Sequence, residues 1–193
     1  MILVTPDRRV EFDALDGHGR VPGRIAQTDR RWVTVWTESG TVRASCTTEA
    51  KDVVTGDWVA VDPTAERVEA VMERRTAFVR RAAKGALAPQ TLAANMDLVL
   101  CVHGMVPGVS PRRLERELVL GHQSGADVAV VLTKSDLVST DELERQVDVA
   151  RHVAPGCAVF ALSSVDGSGV SDLAASFPPG CTVSLFGSSG FIT

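Results

Sequence analysis

The second half of the sequence alternates short apolar runs with helical patterns, and this alternation constrains the fold more than any other feature. Four runs contain few polar residues: 97–102, 127–132, 157–162 and 181–186. Strands that are apolar on both faces are typical of a parallel sheet covered by helices. The sequence therefore predicts an α/β domain over 97–193, with ligand-binding loops at the carboxyl ends of its strands.

Helical patterns fill the gaps between these strands, at 111–123, 140–152 and near 169–176. In the first helix Ser110 is the expected N-cap and Pro111 takes the first helical position. The second helix is expected to be capped by Ser139 or Thr140. The buried face of the first helix is predicted to carry Leu114, Leu118 and His122.

The first 76 residues follow a different pattern. Five short segments rich in Val, Ile, Thr and Trp are separated by polar or glycine-containing stretches: 20–26, 31–37, 41–46, 57–62 and 67–72. Five strands in about 55 residues are typical of an OB-fold, whose strand face and loops bind oligonucleotides. We therefore predict an all-β OB-fold barrel over 1–76 that binds RNA. Its tryptophans, Trp32, Trp36 and Trp58, suit either base stacking or the interior of the barrel.

Residues 77–96 have no strong period and are interpreted as a basic arm or linker. Candidate RNA contacts lie within it and just before it: Arg74, Arg75, Arg80, Arg81 and Lys84. A solvated charged loop is the alternative interpretation. Up to Lys84 the chain has 14 Lys and Arg against 13 Asp and Glu, a net charge of +1, whereas the remainder has 6 against 11, a net charge of −5. This asymmetry permits a nucleic-acid partner for the first region.

Three strand ends of the α/β domain have sequences that suit a guanine nucleotide. The loop Thr133-Lys134-Ser135-Asp136 offers a carboxylate to the N1–H and amine of guanine, and a Lys stem to the face of the base. Ser163-Ser164 offers a backbone N–H to the guanine carbonyl and a hydroxyl to orient Asp136. Gly187-Ser188-Ser189-Gly190 resembles the opening of a phosphate loop. Each sequence alone is also typical of a plain turn, but their order on successive strands favours a nucleotide site.

The base-reading loops precede the phosphate loop here, whereas they follow it in an ordinary GTPase, so a circularly permuted domain is predicted. Specific stretches support one family: 54–61, 73–76, 90–97, 132–137 and 183–190. In them the chain resembles the small-ribosomal-subunit-dependent, circularly permuted P-loop GTPases (the RsgA-like family). The resemblance implies a cytoplasmic GTPase that binds GTP or GDP with Mg²⁺, carries a Zn²⁺ domain and acts on the small (30S) ribosomal subunit and its rRNA.

The sequence departs from the family pattern at several positions. Thr133 stands where the family has Asn, and Ser164 where it usually has Ala. After Gly190 the family pattern has a small residue, Gly, Lys and Ser or Thr, whereas this chain reads Phe191-Ile192-Thr193. The Lys that contacts the phosphates and the hydroxyl that binds Mg²⁺ are therefore missing. We expect no catalytic residue and no metal ligand in a chain truncated within its phosphate loop, and an aggregation-prone strand at 181–186.

Other functional classes are disfavoured. The four cysteines are far apart, which fits neither a zinc site nor a disulfide framework, so reduced core cysteines are expected. Neither a membrane segment nor a secretory leader is predicted, and we expect a monomer. Two alternatives stay open: an OB-fold RNA-binding module with a degenerate, non-catalytic G-domain, and a fragment that does not fold cooperatively.

Overall fold

The computed structural model describes residues 2–15, 19–48, 50–80 and 89–187. The chain divides into two compact units, Met1–Asn95 and Met96–Thr193. Within the described residues, none of the helices combines the length and apolar character of a bilayer-spanning segment.

The first unit is built on a closed five-stranded barrel. Its strands are β1 (Val21–Thr28), β2 (Val33–Thr37), β3 (Gly40–Cys46), β4 (Trp58–Asp62) and β5 (Arg67–Val71). They follow the order β1-β2-β3-β5-β4, and all neighbours are antiparallel except β3 and β5. Alternate residues fill the barrel because successive strand side chains point to opposite faces. The interior is almost wholly aliphatic: Ile25, Val33, Val35, Ala44, Val59, Val61 and Val68.

The tryptophans lie outside this interior. Trp58 is buried, but beneath α1 (Pro6–Asp13), an N-terminal helix whose Phe12 packs against it. Trp32 and Trp36 are 39% and 47% exposed. Of the two roles considered for the tryptophans, a place in the barrel interior is therefore wrong, because Trp32 and Trp36 flank the inward-facing Val33 and Val35 and so point outward.

Within the segment interpreted as an arm, the described ends form strands. These are β6 (Ala77–Arg80) and β7 (Gln90–Ala94), which pair antiparallel. Asn95 is the last residue of the first unit and joins three of its segments. Its side chain accepts hydrogen bonds from Arg8 and from the Arg75 amide, and donates one to the Gly56 carbonyl oxygen. Neither segment has the clear alternation or the long apolar run by which the other strands were predicted.

The second unit is the α/β domain that the apolar runs predict. Its sheet has the order β10-β9-β8-β11, and every pairing is parallel. The strands are β8 (Leu98–Gly104), β9 (Asp127–Thr133), β10 (Ala158–Ala161) and β11 (Val183–Gly187), and the helices are α2 (Pro111–Gln123), α3 (Thr140–Val153) and α4 (Val170–Ala175). One face of the sheet packs on α2 and α3, and the other packs on α4 and Phe177.

Two local predictions for the helices need correction or refinement. His122 is exposed, and Gly121 takes its place in the buried stripe of α2, where an added Cβ would lie 3.0 Å from Val128. Ser110 precedes α2 without a side-chain cap, whereas the Ser139 hydroxyl accepts from the Glu142 amide at 3.3 Å. The pattern misplaced the stripe because Gly121 and Glu117, which are both buried, do not register as apolar.

Candidate functional site

The carboxyl ends of the four parallel strands bring the predicted loops to one edge of the sheet. Thr133 ends β9, Ser163 follows the neighbouring strand β10, and Gly187 ends β11. Strand β8 lies between β9 and β11, so the first base-reading loop and the start of the phosphate loop are about 10 Å apart. This separation would suit a nucleotide with its base over β9 and β10 and its phosphates over β11.

The loop after β9 is anchored to the end of β8. The Thr133 hydroxyl donates to the His103 carbonyl oxygen at 3.3 Å, and the Met105 amide donates to the Thr133 carbonyl oxygen at 2.9 Å. Lys134 adopts the left-handed conformation (φ 66°), which turns the chain into a single 3₁₀ turn over Ser135–Leu137. Asp136 is exposed at this turn.

Asp136 is available to a ligand. Within the described ranges its carboxylate takes part in none of the hydrogen bonds or ion pairs. A carboxylate that is exposed at a turn and not used by its own chain can accept two parallel hydrogen bonds from a planar donor.

Ser135 joins the loop after β9 to the loop after β10. Its amide donates to the Leu162 carbonyl oxygen at 3.2 Å, and its hydroxyl lies 3.4 Å from that of Ser168. The loops after β9 and β10 therefore form one surface.

Ser163 shapes its own loop and does not orient Asp136, contrary to the sequence-based prediction. It is fully buried, and its hydroxyl accepts from the amides of Val165 (3.1 Å) and Asp166 (3.4 Å). Its amide donates to the Ser168 carbonyl oxygen at 3.0 Å. Ser164 is exposed, and among the described residues its amide has no hydrogen-bond partner, so that N–H can donate to a base carbonyl.

Two glycines permit close backbone contacts in these loops. Gly169 has φ +71°, and a Cβ there would lie 2.1 Å from the Ala161 carbonyl oxygen. A Cβ on Gly187 would lie 2.4 Å from the Val102 carbonyl oxygen. No side chain fits at either position without moving backbone. The sequence marked Gly187 for its place in a motif but gave Gly169 no role.

The rest of the predicted phosphate loop, Ser188, Ser189 and Gly190, lies outside the described residues, as do Phe191-Ile192-Thr193. In the described ranges, no three His, Cys, Asp or Glu residues are grouped as metal ligands.

The four cysteines are free thiols, and Cys101 is buried. Burial, with a smaller contribution from the charge of Glu117, raises the pKa of Cys101 to about 12, so this thiol stays protonated.

Two of the predicted RNA-binding cations are engaged within the first unit. Arg74 makes a two-pronged ion pair with the fully buried Asp57, at 2.7 and 2.8 Å, and also donates to the Asp52 carbonyl oxygen. Arg75 pairs with Glu11 at 2.7 Å. Arg80 is exposed, whereas Arg81 and Lys84 lie outside the described residues.

The outer face of β2 and β3 combines aromatic and cationic groups that the sequence did not bring together. The Arg43 guanidinium lies over the Trp32 ring, 5.4 Å from its centroid. Trp36 is on the same outward face, since it pairs with Thr41 while Thr34 pairs with Arg43. Arg43 was missed because the two residues meet only through strand pairing.

Together these features define a class of protein: a circularly permuted GTPase fold, with its base-reading loops ahead of its phosphate loop, preceded by an OB-like barrel. The model of the RsgA GTPase family matches residues 71–191. The chain belongs to this family.

Curated relatives and solved structures agree with this assignment. The small ribosomal subunit biogenesis GTPase RsgA of Streptomyces avermitilis is 37% identical over 95% of this chain and 52% of its own length, and that of Opitutus terrae is 36% identical over 93% and 54%. YjeQ from Thermotoga maritima has the same fold (TM-score 0.71, 22% identity, 89% of this chain and 62% of that one). So does YloQ, a circularly permuted GTPase (TM-score 0.66, 20% identity, 90% and 62%). The chain spans about half the length of the curated relatives it matches.

Proposed function

We propose that this chain supplies the RNA-contacting barrel and the guanine-reading loops of a GTPase of small ribosomal subunit biogenesis. The observation that carries the guanine part is the joined loop pair, in which Ser135 links the turn of Asp136 to the loop of Ser164. This pair offers a carboxylate and a backbone N–H that have no partner among the described residues, and guanine presents the matching donors and carbonyl. Adenine lacks that arrangement, so selectivity for guanine follows.

Competition binding tests this proposal. A fluorescent GDP is bound to the purified full chain and displaced with GDP or ADP. We expect displacement by GDP at concentrations at least about tenfold lower than by ADP, because each hydrogen bond to a charged group contributes about 1.5–3 kcal/mol. Equal displacement by the two nucleotides, or no binding of the probe at all, would reject the guanine site.

We further propose that the chain does not hydrolyse GTP at a measurable rate. Thr193 occupies the position of the Lys that contacts the β- and γ-phosphates, and Ile192 replaces a glycine whose backbone must approach them. Phosphoryl transfer depends on that positioning and charge neutralisation. Phosphate release over many turnovers, with purified small subunits present, should equal that of subunits alone. Stimulated turnover above this background would contradict the expectation, with the relative from Streptomyces avermitilis as positive control.

The barrel is proposed to bind unpaired rRNA bases through the outer face of β2 and β3. Trp32 and Trp36 are exposed there, and the Arg43 guanidinium already stacks on Trp32. Exposed aromatic rings beside cations stack on bases while the cations contact phosphates. The basic residues Arg74 and Arg75 contribute less than the sequence suggested, because both are held in ion pairs. Arg80 is exposed and stays a candidate contact.

Replacing Trp36 by Ala should weaken binding of a short single-stranded RNA about fivefold or more, because a base–aromatic stack contributes about 1–3 kcal/mol. The melting temperature should change little, since the ring is half exposed. Fluorescence anisotropy at two salt concentrations measures the effect, with Val79→Ala, an exposed apolar residue on β6, as matched control. The same RNA affinity in both variants would remove Trp36 from the interface.

The alternative is an RNA-binding module whose G-domain is a non-catalytic scaffold, favoured by Ile192 and Thr193 in the phosphate loop. Salt-dependent RNA binding without preference for GDP over ADP would support it. Under the main proposal the protein acts as a monomer in the cytoplasm, where small subunits mature. Mg²⁺ would accompany the nucleotide and Zn²⁺ would belong to the family's further domain, as the family resemblance implies.

A further inference from the structure

A buried polar cluster lies directly beneath the guanine-reading loop. His103 on β8 and Glu117 on α2 are 3% and 6% exposed, and His103 Nε2 lies 2.7 Å from Glu117 Oε2. Arg113 Nε donates to the other carboxylate oxygen of Glu117, also at 2.7 Å. The guanine site described above does not use any of these side chains.

The cluster is charged. Burial alone would raise the pKa of Glu117, but the hydrogen bonds from His103 and Arg113 outweigh burial and hold that pKa below its ordinary value. The carboxylate is therefore ionised, and His103 Nε2 must carry the proton that it donates. Because such clusters are often no more stabilising than apolar residues of the same volume, net stability alone is a weak explanation for this one.

The cluster has a short path to the loop. The carbonyl oxygen of His103 accepts from the Thr133 hydroxyl, and the amide of Met105, just past the end of β8, donates to the Thr133 carbonyl oxygen. The hydrogen bond to Glu117 fixes the orientation of the His103 ring. Through that ring it sets both the distance and the direction of the end of β8 relative to α2. An apolar contact would fix the distance alone.

We propose that His103 and Glu117 are positioning residues for guanine recognition, which hold the end of β8 so that Thr133 places Asp136 at the base. This inference rests on the proposed function of the loop. The two residues act through the backbone and do not touch the nucleotide.

The test compares stability with loop order in the full chain. In the double variant His103→Leu/Glu117→Leu, we expect a melting temperature equal to or above that of the unsubstituted chain, since apolar residues replace a buried charged pair. We expect amide exchange at Ser135, whose amide bonds across to Leu162, to become about tenfold faster while exchange at Val99 and Leu100 stays the same. GDP affinity should fall by a similar factor.

A second variant covers the case in which the double variant does not fold. Glu117→Gln keeps one acceptor for His103 and loses the charge. Amide exchange at Ser135 should therefore become about threefold faster, while exchange at Val99 and Leu100 again stays the same. Arg145→Ala, which removes a surface pair on α3, is the matched control. Unchanged exchange at Ser135, or equal acceleration throughout the sheet, would overturn the positioning role. If the unsubstituted chain binds no GDP, the guanine proposal fails while the exchange data still decide the positioning role.

Discussion

Replacing Arg74 by Met is expected to lower the free energy of unfolding of the barrel unit by about 3–5 kcal/mol, because the substitution strands a buried charge. Asp57 is fully buried, and its carboxylate is satisfied by both prongs of Arg74 and by the Val54 amide. Without Arg74, one hydrogen bond would be left to stabilise that charge.

Replacing the other partner of the ion pair, Asp57, should lower the free energy of unfolding by a smaller amount. Asp57→Asn removes the charge and keeps the shape, and it leaves Arg74, whose side chain is 29% exposed, able to reach water. We expect a loss of about 1–3 kcal/mol for this variant. The two losses differ because Asp57 is buried, whereas Arg74 can reach water.

Urea unfolding followed by tryptophan fluorescence measures both losses, since the three tryptophans all lie in the barrel unit. Glu38→Ala, which removes a surface pair with Arg9, is the control and should cost less than about 1 kcal/mol. A loss below 1 kcal/mol for Arg74→Met would show that Asp57 finds another partner or becomes neutral at little cost. In that case the ion pair would not organise the barrel.

The fold could be read from the sequence because both of its patterns are strong. The five β-rich segments of the first region and the four apolar runs of the second correspond to nine strands of the structure, with ends that differ by a few residues. The alternation of the buried Val33, Val35 and Thr37 with the less buried Thr34 and Trp36 follows directly from strand geometry. Helix α1 and strands β6 and β7 were missed, since α1 is polar except for Val10 and Phe12 and the two strands lack a clear alternation or a long apolar run.

The candidate site was predictable where the chemistry resides in one loop. Asp136 and Ser164 could be proposed from the sequence because their loops follow apolar strands, and parallel strands bring such loops to one edge. The role of Ser163 could not be predicted from the sequence, because only the structure shows that its hydroxyl accepts from the amides of Val165 and Asp166. The ion pair of Arg74 was missed for the same reason: a sequence displays a charge but not the partner, Asp57, that engages it.

The two units therefore use charge in opposite ways. In the barrel unit Arg74 is drawn inward by a buried carboxylate, and the exposed aromatic face carries the features that suit RNA. In the α/β unit the Asp136 carboxylate stays exposed with no partner among the described residues. Because the Asp136 carboxylate has no partner among the described residues, it is available to a ligand. Substitution of Asp136 is therefore the most direct test of the guanine proposal.

Asp136→Asn is expected to lower affinity for GDP about 100-fold or more and to raise affinity for xanthosine diphosphate. Under the guanine proposal the carboxylate accepts from two guanine donors, each worth about 1.5–3 kcal/mol, whereas an amide accepts from only one and presents its own N–H₂ to the other. Xanthine carries a carbonyl in place of the amine, so the Asn side chain complements it.

Each nucleotide is titrated against the unsubstituted chain and against the variant, which gives the ratio of the affinity for GDP to that for xanthosine diphosphate. A general loss of phosphate binding lowers both affinities equally and so leaves this ratio unchanged. Asp141→Asn, an equal change of charge in the first turn of α3, is the matched control and should leave the ratio unchanged. A variant that binds GDP as the unsubstituted chain does, or that gains no preference for xanthine, would mean that the base does not lie against Asp136. The joined loops of β9 and β10 would then need another ligand.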